Sequence, residues 1–323
     1  MAITLGTFNV NNLFSRYNFD MQAEVPDLKE GTVSIAKIKT IVEKAERKEI
    51  DYKGIGLHRK DITERKLIAE RIKAMDVDVL CGQEIEDIDT LHYFVTNDLK
   101  GFYPYVMLIE GNDPRLIDVA VLSKFPIGAA TTWQTASHPE APGERVFSRD
   151  MLQVEILNKT GTQRLLTVFV NHLKSKFVPF TQDQAAGTKA ANARRRLQAE
   201  TIARIVADVT RPDSAFAVIG DMNDAPDADI LAPFAASPHL KLKNGLLHAK
   251  ETRPAPNSSS PPTQPVWTHR FKPSGQPAQY ELFDHIWLSP ALAAKQIAAF
   301  IDRRTKMGGD GSDHDPAWVV LDV

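Results

Sequence analysis

The sequence predicts an α+β protein in which sheet packs on sheet and helices lie outside. Three observations lead there. Short apolar runs rich in β-branched residues recur along the whole chain, and helical patterns separate only some of them. Neither an internal repeat nor a clear composition shift marks a boundary, so residues 1–323 read as one domain, with surface excursions near 20–60 and 250–280.

The runs AITLGTFNV at the start, DVDVLCGQEI (76–85), DVAVLSKFPI (118–127), MLQVEIL (151–157) and RLLTVFVNHL (164–173) have strand length and composition. AFAVIGDMND (215–224), ELFDHIWLS (281–289) and AWVVLDV (317–323) continue the series, and several read as buried on both faces. DITERKLIAERIKAM (61–75) places Ile62, Leu67, Ile68, Arg71 and Ile72 close to a helical stripe, with Asp61 or Thr63 as N-cap. NARRRLQAETIARIVADV (192–209) repeats the pattern with Leu197, Ile202, Ile205 and Val209. Residues 33–50 are helix-like but lysine-rich, and the proline- and serine-rich stretch 253–277 reads as a long loop with a short strand at VWTHRF.

Bulk properties exclude several classes. With 323 residues and 43% hydrophobic content, the chain buries a substantial core without staples. A net charge of −2 gives no global pull toward nucleic acid or membrane, so any basic surface must be local. Cys81 is the only cysteine, which excludes an internal disulfide and disfavours a cysteine-built zinc site. The start MAITLGTFNVNNLF lacks the pattern of a signal peptide, and no segment approaches ~20 apolar residues. A soluble cytoplasmic protein without a membrane anchor is the expectation, and no obligate protein partner is evident.

The apolar runs share one oddity: several break into amides, carboxylates or histidines where a strand would end. These are Asn9 and Asn11, Gln83 and Glu84, Asn171 and His172, Asp221 and Asn223, and Asp284. The stretch GGDGSDHDPAWVVLDV (308–323) adds Asp313 and His314. Packed strands set their ends side by side, so these groups can converge on one rim. Residues two apart in an extended segment face the same way, which lets Asn9 and Asn11, or Asp221 and Asn223, share a site. Turn chemistry is the plainer explanation for any one stretch, since Asn and Asp commonly make turns. Six such stretches together favour a site.

In this order the pieces TFNVNNL, GQEI, DVAVLSKFPI, VNHL, GDMND and SDHDP resemble the endonuclease/exonuclease/phosphatase superfamily, which has the deoxyribonuclease-I-like fold. The resemblance is closest in motif to its bacterial nuclease-type members. It implies a four-layer α/β/β/α sandwich of two mainly antiparallel sheets. It also implies that Glu84, with Asn9, Asn11 and Asp313, holds a metal ion. Asp221 and Asn223 match the pair that orients water and contacts the scissile phosphate. His314 matches a phosphate-contacting histidine held by Asp284, and His172 a second catalytic histidine. Exonuclease III-type repair enzymes carry Pro-Asn in place of the latter, which argues against abasic-site repair.

The chemistry explains the residue types. Attack of water on a phosphodiester builds charge on phosphoryl oxygens, which a hard cation bound through Glu84 and amide oxygens neutralises. Mg²⁺ fits, Mn²⁺ can substitute, and Ca²⁺ can assist. Asp221 suits a base or water orienter, and a carboxylate beside His314 favours its imidazolium. Arg115 and Asp118, with Arg149, stand before strands that border the site and offer phosphate clamps as readily as surface ion pairs. Asn171, Lys174 and Lys176, followed by Arg194, Arg195 and Arg196, offer a backbone-tracking run or a merely solvated face. The remaining histidines, namely His58, His92, His138, His239, His248, His269 and His285, read as surface or structural, with His285 facing away from Asp284 in a regular strand.

A metal-dependent phosphodiesterase acting on nucleic acid, DNA first, is therefore expected. A phosphodiesterase or phosphatase for phospholipid or small phosphoesters is the rival within the class. A non-catalytic binding module of the same fold is the rival outside it.

Overall fold

The computed structural model describes residues 1–16, 18–23, 37, 40, 41, 43, 44, 52–57, 59–179, 182–211, 213–256, 262, 266–273 and 275–323, with the backbone alone at 18–23 and 52–57. The helix-like stretch 33–50 lies mostly outside the described residues, and His58 entirely so.

In chain order the strands are β1 (Ala2–Leu13), β2 (Asn18–Ala23), β3 (Tyr52–Leu57), β4 (Val79–Ile85), β5 (Tyr105–Leu108), β6 (Asp118–Ser123), β7 (Ile127–Thr132), β8 (Leu152–Leu157) and β9 (Arg164–His172). They continue with β10 (Phe216–Asp221), β11 (Lys243–Asn244), β12 (Lys250–Glu251), β13 (His269–Phe271), β14 (Gln279–Glu281), β15 (Asp284–Leu288), β16 (Gln296–Ile301) and β17 (Ala317–Asp322). All eight expected runs form strands, and the short strand expected at VWTHRF is β13. The sequence reading missed β2, β3, β5, β7, β11, β12, β14 and β16, mostly short or polar-faced strands in the ribbons or at or near the sheet edges.

Two sheets carry the fold. One has the order β12-β16-β17-β1-β4-β6-β5 and the other β11-β15-β10-β9-β8-β7, while β2-β3 and β13-β14 form separate ribbons. Each large sheet is mostly antiparallel around a central parallel pair, β1 with β4 and β9 with β10, and the first has a second, short parallel pair at its edge, β12 with β16. Parallel partners end at the same edge, so four strand C-termini meet at one rim. Antiparallel β15 starts there, with Asp284 opposite Asp221.

Alternation along these strands sorts side chains into three cores. Ile3, Leu5, Val79 and Cys81 from one sheet meet Val168, Val170, Ala217 and Ile219 from the other. On the outer face of the first sheet, Phe8, Val10, Leu80 and Trp318 pack on Ile68, Ile72, Leu91 and Phe94 of two helices, Ile62–Met75 and Ile88–Asn97. Phe169, Phe216 and Val218 of the second sheet pack on Ile202 and Val206 of the Gln184–Val209 helix. The result is the expected α/β/β/α sandwich. Among the described residues no helix is long and apolar enough to cross a membrane.

The helix boundaries follow their caps. Asp61 accepts a 2.7 Å bond from Thr63 N and starts the first helix, whose Ile62 points to solvent rather than joining the apolar stripe. Asp183 caps Ala186 N, so the longest helix begins eight residues before the apolar pattern at 192. The Ile88–Asn97 helix, capped by Asp87, was not anticipated from the sequence.

Behind the rim lies a buried charge network. Asp315, fully buried, accepts from Arg71 Nη2 (3.2 Å), Arg303 Nη1 (3.3 Å) and Arg304 Nε (3.1 Å). The Arg303 guanidinium lies 3.9 Å from the centre of the Trp267 ring. The same arginines hold the loop backbone: Arg304 Nη2 donates to Asp313 O at 2.8 Å and Arg71 Nη1 to His314 O at 3.4 Å. Removing one partner from such a network leaves uncompensated buried charge. We expect Asp315→Asn to lose about 3–5 kcal/mol of stability in denaturant unfolding, whereas Asp313→Asn at the half-exposed neighbouring position changes it little.

Candidate active site

The strand ends do not reach the rim by regular extension. Asn11, Asn12, Glu84 and Asn223 all have positive φ, at 49°, 58°, 65° and 52°. Non-glycine residues enter this left-handed region rarely, asparagine more readily than most. The ladder between β4 and β6 breaks between Gln83 and Ile85, and that between β1 and β4 breaks after Asn9. Strict alternation would turn Glu84 toward the helical layer. The bulge instead sends Ile85 into that layer and frees Glu84 to face the rim. Gly220 meets a related constraint. Its φ is +134°, and a Cβ there would sit 1.9 Å from Asn171 O, so only glycine lets β9 and β10 approach beside Asp221.

Asn9 and Asn11 do converge, as do Asp221 and Asn223, but through turns rather than extended alternation. Asn11 N donates to Asn9 Oδ1 at 2.9 Å, and Asn223 N to Asp221 Oδ1 at 2.9 Å. Each is a side-chain oxygen closing on the amide two residues later. The turn chemistry and the site are thus the same feature.

Asp221 is the hub. It is 1% exposed and accepts Asn9 Nδ2 at 3.0 Å, which joins the two sheets across the rim. His172 Nε2 lies 3.5 Å from Asp221 Oδ2, and His314 Nε2 lies 3.9 Å from the same oxygen. His314 Nδ1 is 2.7 Å from Asp284 Oδ2. Glu84 Oε2 accepts Asn12 N at 3.0 Å, and its Oε1 is 3.9 Å from His172 Nε2. Asn223 Nδ2 donates to Leu173 O, which also accepts from buried Arg149.

Electrostatics separate the two histidines. Burial lowers the pKa of His172 well below its usual value, and the cations of Arg149, Arg115, His314 and Lys174 lower it further. Burial opposes charge on His314 as well, yet Asp284, Asp221 and Asp313 outweigh it and raise the pKa to about 10. Burial thus favours the neutral form of His172, and the surrounding carboxylates favour the cation of His314, on either side of one carboxylate. Burial lifts that carboxylate, Asp221, to about 7 against the pull of His314.

Among the expected metal residues, Glu84 keeps an oxygen turned to the cleft and Asp313 is half exposed. Asp313 lines one recess with Asn11 and Asn12, and the Asn12 amide bonds Glu84, so the two carboxylates stand on the same side of the site. Two carboxylates with amide oxygens nearby suit a hard divalent cation. Asn9 instead turns its amide nitrogen to Asp221 and acts as a hydrogen-bond donor there. His269, which the sequence reading treated as structural, stacks on Phe283 and stands 3.8 Å from Asp313 and ring-to-ring with His314 at 4.8 Å. With Asp313 and His314 it forms a group able to hold a metal. Ser312 was also missed: its hydroxyl donates to Asn9 O at 2.7 Å and accepts from His314 N at 3.0 Å. Nothing local in VWTHRF or GGDGSD signals either role.

The weaker candidates divide. Arg115 and Arg149 share Asp113, at 3.2 and 3.1 Å, while their charge reaches His172. Asp118 is buried, accepts Gly111 N at 2.7 Å, and is raised to about 7 by burial and the carboxylates of Glu110, Asp113 and Asp150. Asn171 lies on the opposite strand face from His172 and bonds Phe169 O, so it does not join the cluster. Lys174 Nζ binds Ser175 O, and Lys176 pairs with Asp224 (3.1 Å) and Glu281 (2.9 Å). The arginine run is equally engaged. Arg195 is buried against Asp224, Arg196 pairs with Glu140 and Glu200, and Arg194 bonds Arg145 O. It forms no free basic track. His285 does face away, bonding Leu282 O and Trp287 Nε1.

A family model described as Endonuclease/Exonuclease/phosphatase family matches residues 6–314. A search of curated proteins returned no match. Among solved structures, an endonuclease/exonuclease/phosphatase from Bacteroides vulgatus superposes with a TM-score of 0.59 at 14% identity, covering 100% of this chain and 99% of that one. The human Nocturnin catalytic domain with bound sulfate anion gives 0.58 at 16% identity, covering 99% and 94%. A truncated TDP2 from Caenorhabditis elegans gives 0.54 at 15% identity, covering 100% and 98%. At such identities the likeness is one of fold.

The His314–Asp284 pair has a measurable consequence. A histidine whose folded pKa is raised lends stability that is complete below its unfolded pKa, near 6.5, and is lost as pH climbs through about 10. Unfolding free energy of the wild type should fall between pH 7 and 10, and His314→Ala should flatten that slope in chemical denaturation at a series of pH values.

Proposed function

Because the chain belongs to the endonuclease/exonuclease/phosphatase family, we propose that it is a divalent-metal-dependent phosphodiesterase that hydrolyses nucleic-acid phosphodiester bonds, DNA foremost. The observation that carries this reading is the pair of histidines flanking Asp221, His172 at 3.5 Å and His314 at 3.9 Å, with His314 held by Asp284. Phosphoryl transfer needs charge placed around one phosphate more than it needs a covalent partner, and this arrangement supplies it.

The cationic His314, fixed at Nδ1 by Asp284, presents Nε2 to a phosphoryl oxygen and stabilises charge as it develops. Asp221, poised near 7, orients and deprotonates the attacking water, while the backbone of Asn223 and the amide of Asn9 hold it in place. Neutral His172 stands on the opposite side, where Nε2 accepts a hydrogen bond from water, and the leaving oxygen takes its proton from the cationic His314 or from solvent. Glu84 and Asp313, with Asn11, would hold the metal ion, Mg²⁺ in our reading, with Mn²⁺ able to replace it. The ion supplies Lewis-acid neutralisation of the phosphate. Arg149 and Arg115 add positive potential behind His172. The bound sulfate in the nocturnin structure shows that a relative of this fold accommodates a tetrahedral anion.

A second reading has its own support. The arginine run that would track a long polyanion is tied into internal pairs, which favours a compact phosphoester over a duplex.

Both are decided with purified protein, Mg²⁺ and two substrates, supercoiled plasmid and bis(p-nitrophenyl) phosphate. Nicking that is abolished by chelator and reduced about 10²–10⁴-fold in His314→Ala or His172→Ala supports the nuclease. Turnover of the small diester with intact plasmid supports the second reading. Inactivity of the folded, metal-supplied protein on both would end the hydrolase proposal.

A further inference from the structure

Lys60 enters the site from outside every strand that builds it. It is 6% exposed, its backbone N–H donates to Phe14 O at 3.0 Å, and its ammonium hydrogen-bonds the backbone carbonyl of Asn11. Asn11 is one of the left-handed residues, and the next amide, Asn12 N, donates to Glu84. The carboxylates whose charge Lys60 feels are Glu64, Glu84 and Asp313. It lines a recess of about 610 Å³ together with Asn11, Asn12, Glu64, Ser312 and Asp313.

This is an unfavourable place for a cation with no task. Burial strips the ammonium of water, and Lys60 directly precedes the Asp61 cap, where the positive end of the helix dipole repels positive charge. Glu64, and then Glu84 and Asp313 on the metal side of the centre, offset part of that cost. Two carboxylates on one side of a cleft attract divalent cations, and a fixed ammonium among them reduces that attraction.

We propose that Lys60 is a positioning residue that acts as a built-in cation. It stands where Glu84 and Asp313 would otherwise draw a second divalent ion, and limits the chain to one. Its bond to Asn11 O also braces the left-handed turn that aims Glu84. This inference rests on the metal-dependent phosphoesterase reading, and its test separates the two.

A structural lysine and a built-in cation differ in the sign of the metal effect. Lys60→Met keeps the shape of the side chain without its charge, and Lys60→Gln keeps a hydrogen-bond donor. Mn²⁺ binding is measured by titration calorimetry without substrate, beside a thermal melt and kcat on bis(p-nitrophenyl) phosphate. The wild type should bind one ion. The variants should take up a second ion or hold the first about tenfold tighter, while kcat at saturating metal falls by about tenfold or more. Wild-type stoichiometry with equal or weaker affinity in both variants overturns the proposal. If the protein hydrolyses no phosphoester but the variants still bind Mn²⁺ more tightly or in a second site, the assignment of Lys60 stands and the hydrolase reading falls. Hydrolysis with unaltered metal binding gives the reverse.

Discussion

The burial of Asp315 among Arg71, Arg303 and Arg304 is the constraint on which the rest of the centre depends. Three guanidiniums around one carboxylate satisfy it several times over, and their remaining donors reach the carbonyls of Asp302, Asp313, His314, Trp267 and Thr268. A glycine-rich loop has little order of its own. Here it is clamped from behind, with Gly311 packed so closely on the first helix that a Cβ would lie 2.4 Å from Glu64 O. His314 therefore meets Asp284 in a set geometry, and the preorganisation that makes electrostatic stabilisation effective resides in this network.

The crowded acidic stretch at 308–315 thus resolves into different tasks. Asp310 turns inward to accept the amide and hydroxyl of Thr305, and Asp315 serves the arginines. Asp313 and His314 face the cleft. Composition alone cannot separate these roles, because all four residues are polar, close in sequence and beside glycine. Partners distant in the chain separate them.

Strand ends carrying amides and carboxylates announced the rim, and Asn9, Glu84, His172, Asp221, Asn223, Asp284 and His314 do meet there. Their local cause was less visible. Left-handed Glu84 inverts the period-two pattern, so its direction follows from a bulge that apolar alternation does not encode. Lys60, His269 and Ser312 come from a lead-in to a helix, a short ribbon and a loop, and only tertiary contact gives them meaning. The arginines at 194–196 mislead in the opposite sense, since their pairing with Asp224, Glu140 and Glu200 is invisible along the chain.

The pairing of β1 with β17 joins Ala2 to Asp322 and Thr7 to Ala317. Contacts of such sequence separation form late, because loop closure must precede their reward. During synthesis the β17-facing edge of the first strand stays unpaired until β17 has been made. His314 and Asp315 stand just before β17 and emerge with it. The candidate site is therefore assembled only after β17 and the loop before it have been made, long after Asn9.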